Sequence, residues 1–272
     1  METSALLKKC AELWDAVRRS NPLVHCITNY VTVNDVANTI IASGASPAMV
    51  ENPAEAGDFA ALAAALYINP GTLTTEQEAA IMAAAGSARE NKVPGLLDPV
   101  GCSAIPGRRK LYHRLQEIEF LKVVKGNIAE IKSLAGVASK ARGVDSLDSG
   151  DGLDTVCREL SRRDNIVVVA TGAVDVVADA RQVASTANGT HLFQQITGAG
   201  CMVGGVMAAC LGAAPEEPWL ASVTGLLGFN IAGERAARQT GDRPGSFRIA
   251  LVDRLYQLRG DDVIKEGRVQ CW

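Results

Sequence analysis

Ile196-Thr197-Gly198-Ala199-Gly200-Cys201 is the stretch best suited to chemistry. Two glycines bring backbone close to a ligand, and the run opens a helix whose first N–H groups have no intrahelical partner. Those donors carry partial positive charge and suit a phosphoryl group in transfer. The plainer reading is a glycine-rich turn that only lets the helix pack on a sheet. The run is no Walker loop, because Gly-Lys-Ser/Thr is missing. It is no dinucleotide fingerprint either, because no GxGxxG follows an N-terminal strand. Cys201 falls in the first helical turn, where a thiol pKa is lowered and a thiolate would take a proton from a substrate hydroxyl. A cysteine that only fills the core is the common alternative.

Other residues gain meaning beside that turn. Asp98 ends an apolar strand just before Pro99, and Asn127 and Glu130 stand three apart at a helix start. Asp98, Asn127 and Glu130 would hold Mg²⁺ through oxygen and water; singly they read as a turn former and a capping box. Lys125 follows an apolar strand and would reach a nucleotide phosphate, or else be solvated. Thr171 would bond a phosphate oxygen, or be a plain turn hydroxyl. Met49 would line an apolar ligand pocket or sit in the core. Asn29 would meet a polar ligand, and His25 reads as structural.

The elements that must position these residues follow from periodicity. Leu6, Leu7, Cys10, Leu13, Trp14 and Val17 recur at helical spacing, and Asn21-Pro22 ends that helix. Strands are expected at Leu23–Ile27, Pro47–Val50, Leu66–Ile68, Gly95–Asp98, Leu121–Val124 and Ile166–Ala170. Helices are expected over about Val31–Ser43 (closed by Gly44), Pro53–Ala63, from Thr74 or Thr75 to about Glu90, from Asn127, and up to about Arg162. Val174–Ala178 and Gln182–Ser185 flank the Asp179–Arg181 turn as a hairpin. From Gly198 the pattern is helical in three segments to about Leu258. Residues 136–152 read as a polar surface connection. Alternating strands and helices predict a mostly parallel α/β sheet covered on both faces, with the hairpin at one edge. Ligands then bind beyond the carboxyl ends of the strands, where His25–Asn29, Met49–Pro53, Asp98–Gly101, Lys125–Asn127 and Thr171–Gly172 lie.

Composition narrows the classes. The 272 residues carry a net charge of −3 and no basic stripe, which disfavours nucleic acid. Seven cysteines form no CxxC pair, and with three histidines they point to reduced cytoplasmic thiols rather than disulfides or zinc. The N-terminus has no signal-peptide pattern. Leu192–Ala214 is uncharged but glycine-rich, and reads as a buried helix rather than a membrane span.

In order, Pro22–Val36 (PLVHCITNYVTVNDV), Ala42–Glu55 (ASGASPAMVENPAE), Leu97–Gly101 (LDPVG), Lys125–Glu130 (KGNIAE), Ala170–Asp175 (ATGAVD) and Thr197–Gly205 (TGAGCMVGG) resemble the hydroxyethylthiazole kinase family of thiamin salvage. That family is a branch of the ribokinase-like fold. The resemblance spans nearly the whole chain and implies one kinase domain over residues 1–272. It implies ATP, Mg²⁺ and 4-methyl-5-(2-hydroxyethyl)thiazole as ligands, and a homotrimer with active sites between subunits. By position, Met49 and Gly198 match substrate contacts, with Asn29 beside them. Lys125 and Thr171 match ATP contacts, with Gly200 and Asn127 beside them. Asp98 and Glu130 match the acidic residues near Mg²⁺. Cys201 stands where many ribokinase-like enzymes carry Asp. Lys125 stands where an Arg is common, and it lacks the bidentate fork.

Three rival functions lie nearby: a hydroxymethylpyrimidine kinase, a non-catalytic nucleotide-binding protein on the same fold, and a nicotinamide oxidoreductase. The absent dinucleotide fingerprint argues against the last.

Overall fold

The structure is a computed structural model that describes residues 2–137, 141–142, 145–146 and 152–272. The chain runs α1 (Thr3–Ser20), β1 (Leu23–Ile27), α2 (Val33–Ser43), β2 (Ser46–Ala48), α3 (Pro53–Ala60), β3 (Ala65–Ile68), α4 (Thr75–Glu90) and β4 (Gly95–Leu97). It continues through α5 (Pro106–Ile118), β5 (Leu121–Asn127), α6 (Ile128–Ala135), β6 (Ala141–Arg142), β7 (Asp145–Ser146), α7 (Leu153–Asp164) and β8 (Val167–Thr171). Then come β9 (Asp175–Ala178), β10 (Val183–Thr186), a 3₁₀ turn (His191–Gln195), α8 (Ala199–Ala213), α9 (Pro218–Thr240), α10 (Pro244–Gln257), α11 (Gly260–Glu266) and β11 (Val269–Cys271).

Among the described residues nine strands form one sheet in the order β11-β10-β9-β8-β5-β4-β3-β1-β2. Along the stretch β8-β5-β4-β3-β1-β2 each strand is parallel to the next. β9, β10 and β11 add an antiparallel edge. Period-two alternation explains how the sheet is buried on both faces. Val123, Val167 and Val169 pack with α1, α2 and α8–α11. Val124, Val168 and Ala170 pack with α3–α7 on the other face.

The expected mainly parallel sheet with an edge hairpin is the observed one. Every apolar residue counted for α1 is buried, and Gly44 caps α2 with a φ of 101°. Thr74 caps α4 by accepting the Gln77 N–H at 3.0 Å.

Other expectations need amending. β5 runs to Asn127, past the expected end at Val124, because Lys125 and Gly126 stay in the ladder with β8. β2 stops at Ala48, so Met49 and Val50 lie past the strand. α5, α11 and β11 had no counterpart in the sequence reading. Most of the 136–152 connection lies outside the described residues; β6 and β7 pair within it. No described helix is long and apolar enough to cross a membrane.

Candidate active site

The carboxyl ends of β1, β3, β4, β5 and β8 bring Asn29, Asn69, Asp98, Asn127 and Thr171 to one edge of the sheet, where α8 begins. Gly198 is the N-cap of α8 with a φ of +81°, and a Cβ there would lie 2.3 Å from Thr32 Cγ2. Only glycine fits that turn. At Gly204 a Cβ would lie 2.7 Å from the Tyr67 hydroxyl, so the missing side chain lets α8 lie close on β3. The amides of Ala199, Gly200 and Cys201 occupy the first turn, where no preceding carbonyl can receive them.

Under this turn is a buried ion pair. Lys125 Nζ donates to Asp98 Oδ2 at 2.8 Å and to the Gly200 carbonyl at 3.0 Å. Both side chains are buried. Burial lifts the Asp98 carboxyl above its ordinary range, and the ammonium pulls it part of the way back. For Lys125, burial favours the neutral amine, but the charge and hydrogen bond of Asp98, with Cys201 and Glu130 adding to them, together outweigh it and keep the amine protonated. Lys125 is therefore neither a solvated lysine nor a free arm reaching outward. It braces the glycine turn from below.

Asp98 Oδ2 also accepts from Asn69 Nδ2 at 3.3 Å, and the Tyr67 hydroxyl lies 3.5 Å away. That hydroxyl donates to the Cys201 carbonyl at 2.9 Å. Asn69 Oδ1 accepts from Asn29 Nδ2 at 3.1 Å and from the Gly71 N–H at 3.1 Å. Asn29 Nδ2 also approaches Cys201 Sγ at 3.4 Å, while Asn29 Oδ1 accepts both the N–H and the hydroxyl of Thr32 at 3.1 Å. Asn29 is thus turned inward, holding the sulfur.

The expected lowering of the Cys201 pKa is not what this environment produces. Burial raises it, the Asp98 charge raises it further, and Lys125 offsets only part. The helix terminus is outweighed by desolvation and a neighbouring carboxylate, so the thiol stays protonated.

On the other flank, Asn127 and Glu130 form a capping box. Asn127 Oδ1 accepts the Glu130 N–H at 3.0 Å, and Glu130 Oε2 accepts the Asn127 N–H at 2.8 Å. Glu130 Oε1 accepts the Gly101 N–H at 2.8 Å, which joins the LDPVG loop to the KGNIAE segment. Burial, with Asp98 adding to it, pushes the Glu130 carboxyl up to about 7. Thr171 donates to the Gly126 carbonyl at 3.3 Å. Met49 is half-buried against the same core layer as Ala199 and Cys201. His25 is fully buried, with Nε2 2.7 Å from the Val50 carbonyl and its ring edge-on to Phe59. That is the structural role expected of it.

Sequence reasoning missed Tyr67, Asn69 and Thr32. Asn69 had a usable signal: it directly follows a strand end, though Asn-Pro-Gly reads first as a turn. Tyr67 had none, being an aromatic inside an apolar strand.

A model of the "Hydroxyethylthiazole kinase family" matches residues 14–261. A hydroxyethylthiazole kinase of Syntrophomonas wolfei subsp. wolfei is 61% identical over 265 residues, 97% of this chain and 100% of the relative. The structure of a hydroxyethylthiazole kinase protein from Pyrococcus horikoshii OT3 superposes with a TM-score of 0.87 at 33% identity, covering 97% of this chain and 98% of that one. A ribokinase-like superfamily protein from Enterococcus faecalis V583, at 12% identity and a TM-score of 0.64 over 91% of this chain and 95% of that one, shares the fold. This chain belongs to the hydroxyethylthiazole kinase family, on the ribokinase-like fold that its motifs implied.

Proposed function

We propose that the chain transfers the γ-phosphoryl group of ATP to the hydroxyl of 4-methyl-5-(2-hydroxyethyl)thiazole, the salvage step toward thiamin. One observation carries this reading. The glycine turn of α8, the sulfur of Cys201 and the Asp98–Lys125 pair meet at a single point beyond the parallel strands. Phosphoryl transfer has a loose transition state, so positioning and charge stabilisation matter more than base strength. The first-turn amides of α8 cradle the migrating phosphoryl, with the Lys125 ammonium beneath them. Cys201 Sγ, held by Asn29, accepts the O–H of the alcohol and aims its oxygen at phosphorus. A protonated thiol suits that orienting role. Met49 and Gly198 flank the acceptor, while Thr171, Gly200 and Asn127 face the nucleotide.

The two carboxyls fit a Mg²⁺ role. Mg²⁺ keeps most of its waters and takes one or two carboxylates besides phosphate oxygens. The described bonds to the Asp98 side chain all fall on Oδ2, which leaves Oδ1 to face a hydrated cation. Glu130 accepts one N–H at each oxygen, so each keeps a second lone pair. Bound there, the ion would neutralise charge on the β- and γ-phosphates.

The exposed Tyr30 and Val31, 56% and 63% accessible beside Asn29, offer an apolar contact at this edge for the homotrimer that the family resemblance implies. Seven cysteines that form no disulfide and the use of ATP support a cytoplasmic location.

The test is coupled ADP release with the thiazole alcohol set against hydroxymethylpyrimidine. Faster turnover of the thiazole alcohol is the expected result. Preference for the pyrimidine, or ATP binding without ADP formation, would replace the reading.

A further inference from the structure

The turn between β8 and β9 is exposed at Gly172, Ala173 and Val174, yet it hangs on one buried side chain. Asp175 is 6% accessible. Its Oδ1 accepts the Gly172 N–H at 3.0 Å. Its Oδ2 accepts Asn230 Nδ2 at 2.7 Å and the Thr186 hydroxyl at 3.3 Å. One carboxyl therefore ties the turn to the middle of α9 and to β10. Donors converge on both oxygens, so an amide in its place would turn an NH₂ toward at least one of them.

Burial pushes this carboxyl up to about 6, with the donated hydrogen bonds and the more distant Lys125 pulling against it. A buried carboxyl with no cation bonded to it is costly to keep. What it secures is the turn that starts at Thr171, level with Asn127 in the β5–β8 ladder.

We propose that Asp175 is a positioning residue for the nucleotide: it fixes the 171–174 turn so that Thr171 meets the triphosphate, and it has no part on the acceptor side. This rests on the kinase reading above.

Asp175→Asn and Asn230→Ala test it in the full chain. Calorimetry gives the Kd of a non-hydrolysable ATP analogue without alcohol, and steady-state kinetics give KM for each substrate. In Asp175→Asn, the analogue Kd and the ATP KM rise about five- to tenfold, no more than loss of the Thr171 contact itself would cause. In Asn230→Ala, which removes one donor, they rise about threefold. In both variants kcat at saturating ATP and the alcohol KM stay within about twofold of wild type. A purely structural anchor would lower the Tm and leave the analogue Kd unchanged, and that result overturns the inference. If Asp175→Asn does not fold, an unchanged Kd in Asn230→Ala overturns it alone. A wild-type chain that binds the analogue but phosphorylates no alcohol defeats the kinase reading, while the variants' Kd values still judge Asp175. A wild-type chain that binds no analogue defeats both.

Discussion

The proposed acceptor flank and the proposed nucleotide flank of the site are built differently. Around Cys201, the side chains of Asn29, Thr32, Tyr67, Asn69, Asp98 and Lys125 are cross-linked, each bonded to at least one other. Around Thr171, an exposed turn is held by one carboxyl reached from three directions. The difference matches what each flank must do. The acceptor side has to aim one oxygen at phosphorus, and angular error there costs rate directly. The nucleotide side has to admit and release a large anion, which an exposed turn allows. A network resists the loss of any single bond, whereas a single anchor concentrates the effect of losing it.

The hardest blow to the acceptor network is Asp98→Asn. It leaves the Lys125 ammonium buried beside a neutral amide. Breaking a buried pair in this way costs about 3–5 kcal/mol of stability. Turnover should fall at least about a hundredfold, because the brace under the glycine turn is lost. Mg²⁺ activation should also need more metal. Urea unfolding and an ADP-release titration with Mg²⁺ check the two effects. An unchanged Mg²⁺ titration would remove Asp98 from the metal site.

The single anchor has its own signature in pH. A carboxyl moved from its ordinary 3.8 up to about 6 in the folded chain makes a difference of about 3 kcal/mol. The sign follows from proton binding. The folded state holds the proton more tightly, so the contribution is fully present below about pH 4 and lost as pH rises through about 6. Wild-type stability relative to Asp175→Asn should therefore fall between about pH 4 and 6 and stay level above that. Urea unfolding of both proteins across that range measures it. A difference that is flat, or that grows with pH, would mean the carboxyl is not held as described.

Much of the acceptor side was legible because its parts sit at strand ends and in a glycine turn. Asn29, Asp98, Lys125 and Cys201 each stand out by residue type just after, or close to, an apolar run. The links between them were not legible. Tyr67 looks like any core aromatic, and the Asp98–Lys125 pair joins the residue just past β4 to one within β5, which only sheet order brings together. The direction of the Cys201 pKa was misread for the same reason: helix position is local, while burial and the Asp98 charge arise from tertiary packing. In the fold, α5 escaped notice because only Leu111, Tyr112 and Leu115 are buried along its charged length. β11 escaped because three residues carry no periodicity to read. The Asp175 anchor is only partly local: it bonds Gly172 three residues earlier, but its other partners lie on β10 and α9.

Cys201→Ala probes the acceptor network more gently. On the proposal that the sulfur orients the alcohol, kcat should fall about 10- to 100-fold with a smaller change in the alcohol KM. Because the thiol stays protonated, wild-type kcat should not rise tenfold per pH unit between about pH 7 and 8.5, as a thiolate base would require. A steep rise there, absent in Cys201→Ala, would restore the sulfur as a base.

The smallest effect separates the flanks most cleanly. Thr171→Val keeps the shape of the side chain and removes one hydroxyl. That hydroxyl donates a single 3.3 Å bond to the Gly126 carbonyl. A bond of this kind contributes about 0.5–1.5 kcal/mol, so stability should change little. If the hydroxyl faces the triphosphate, the ATP KM should rise about three- to tenfold, which corresponds to a similar energy. The alcohol KM should not move, because none of the described hydrogen bonds of Thr171 reaches Asn29, Asn69 or Cys201. Two-substrate kinetics on one preparation decide it. A parallel rise in both KM values would mean that the two flanks are coupled through β5, where Lys125 and Gly126 are neighbours, and the contrast between them would not hold.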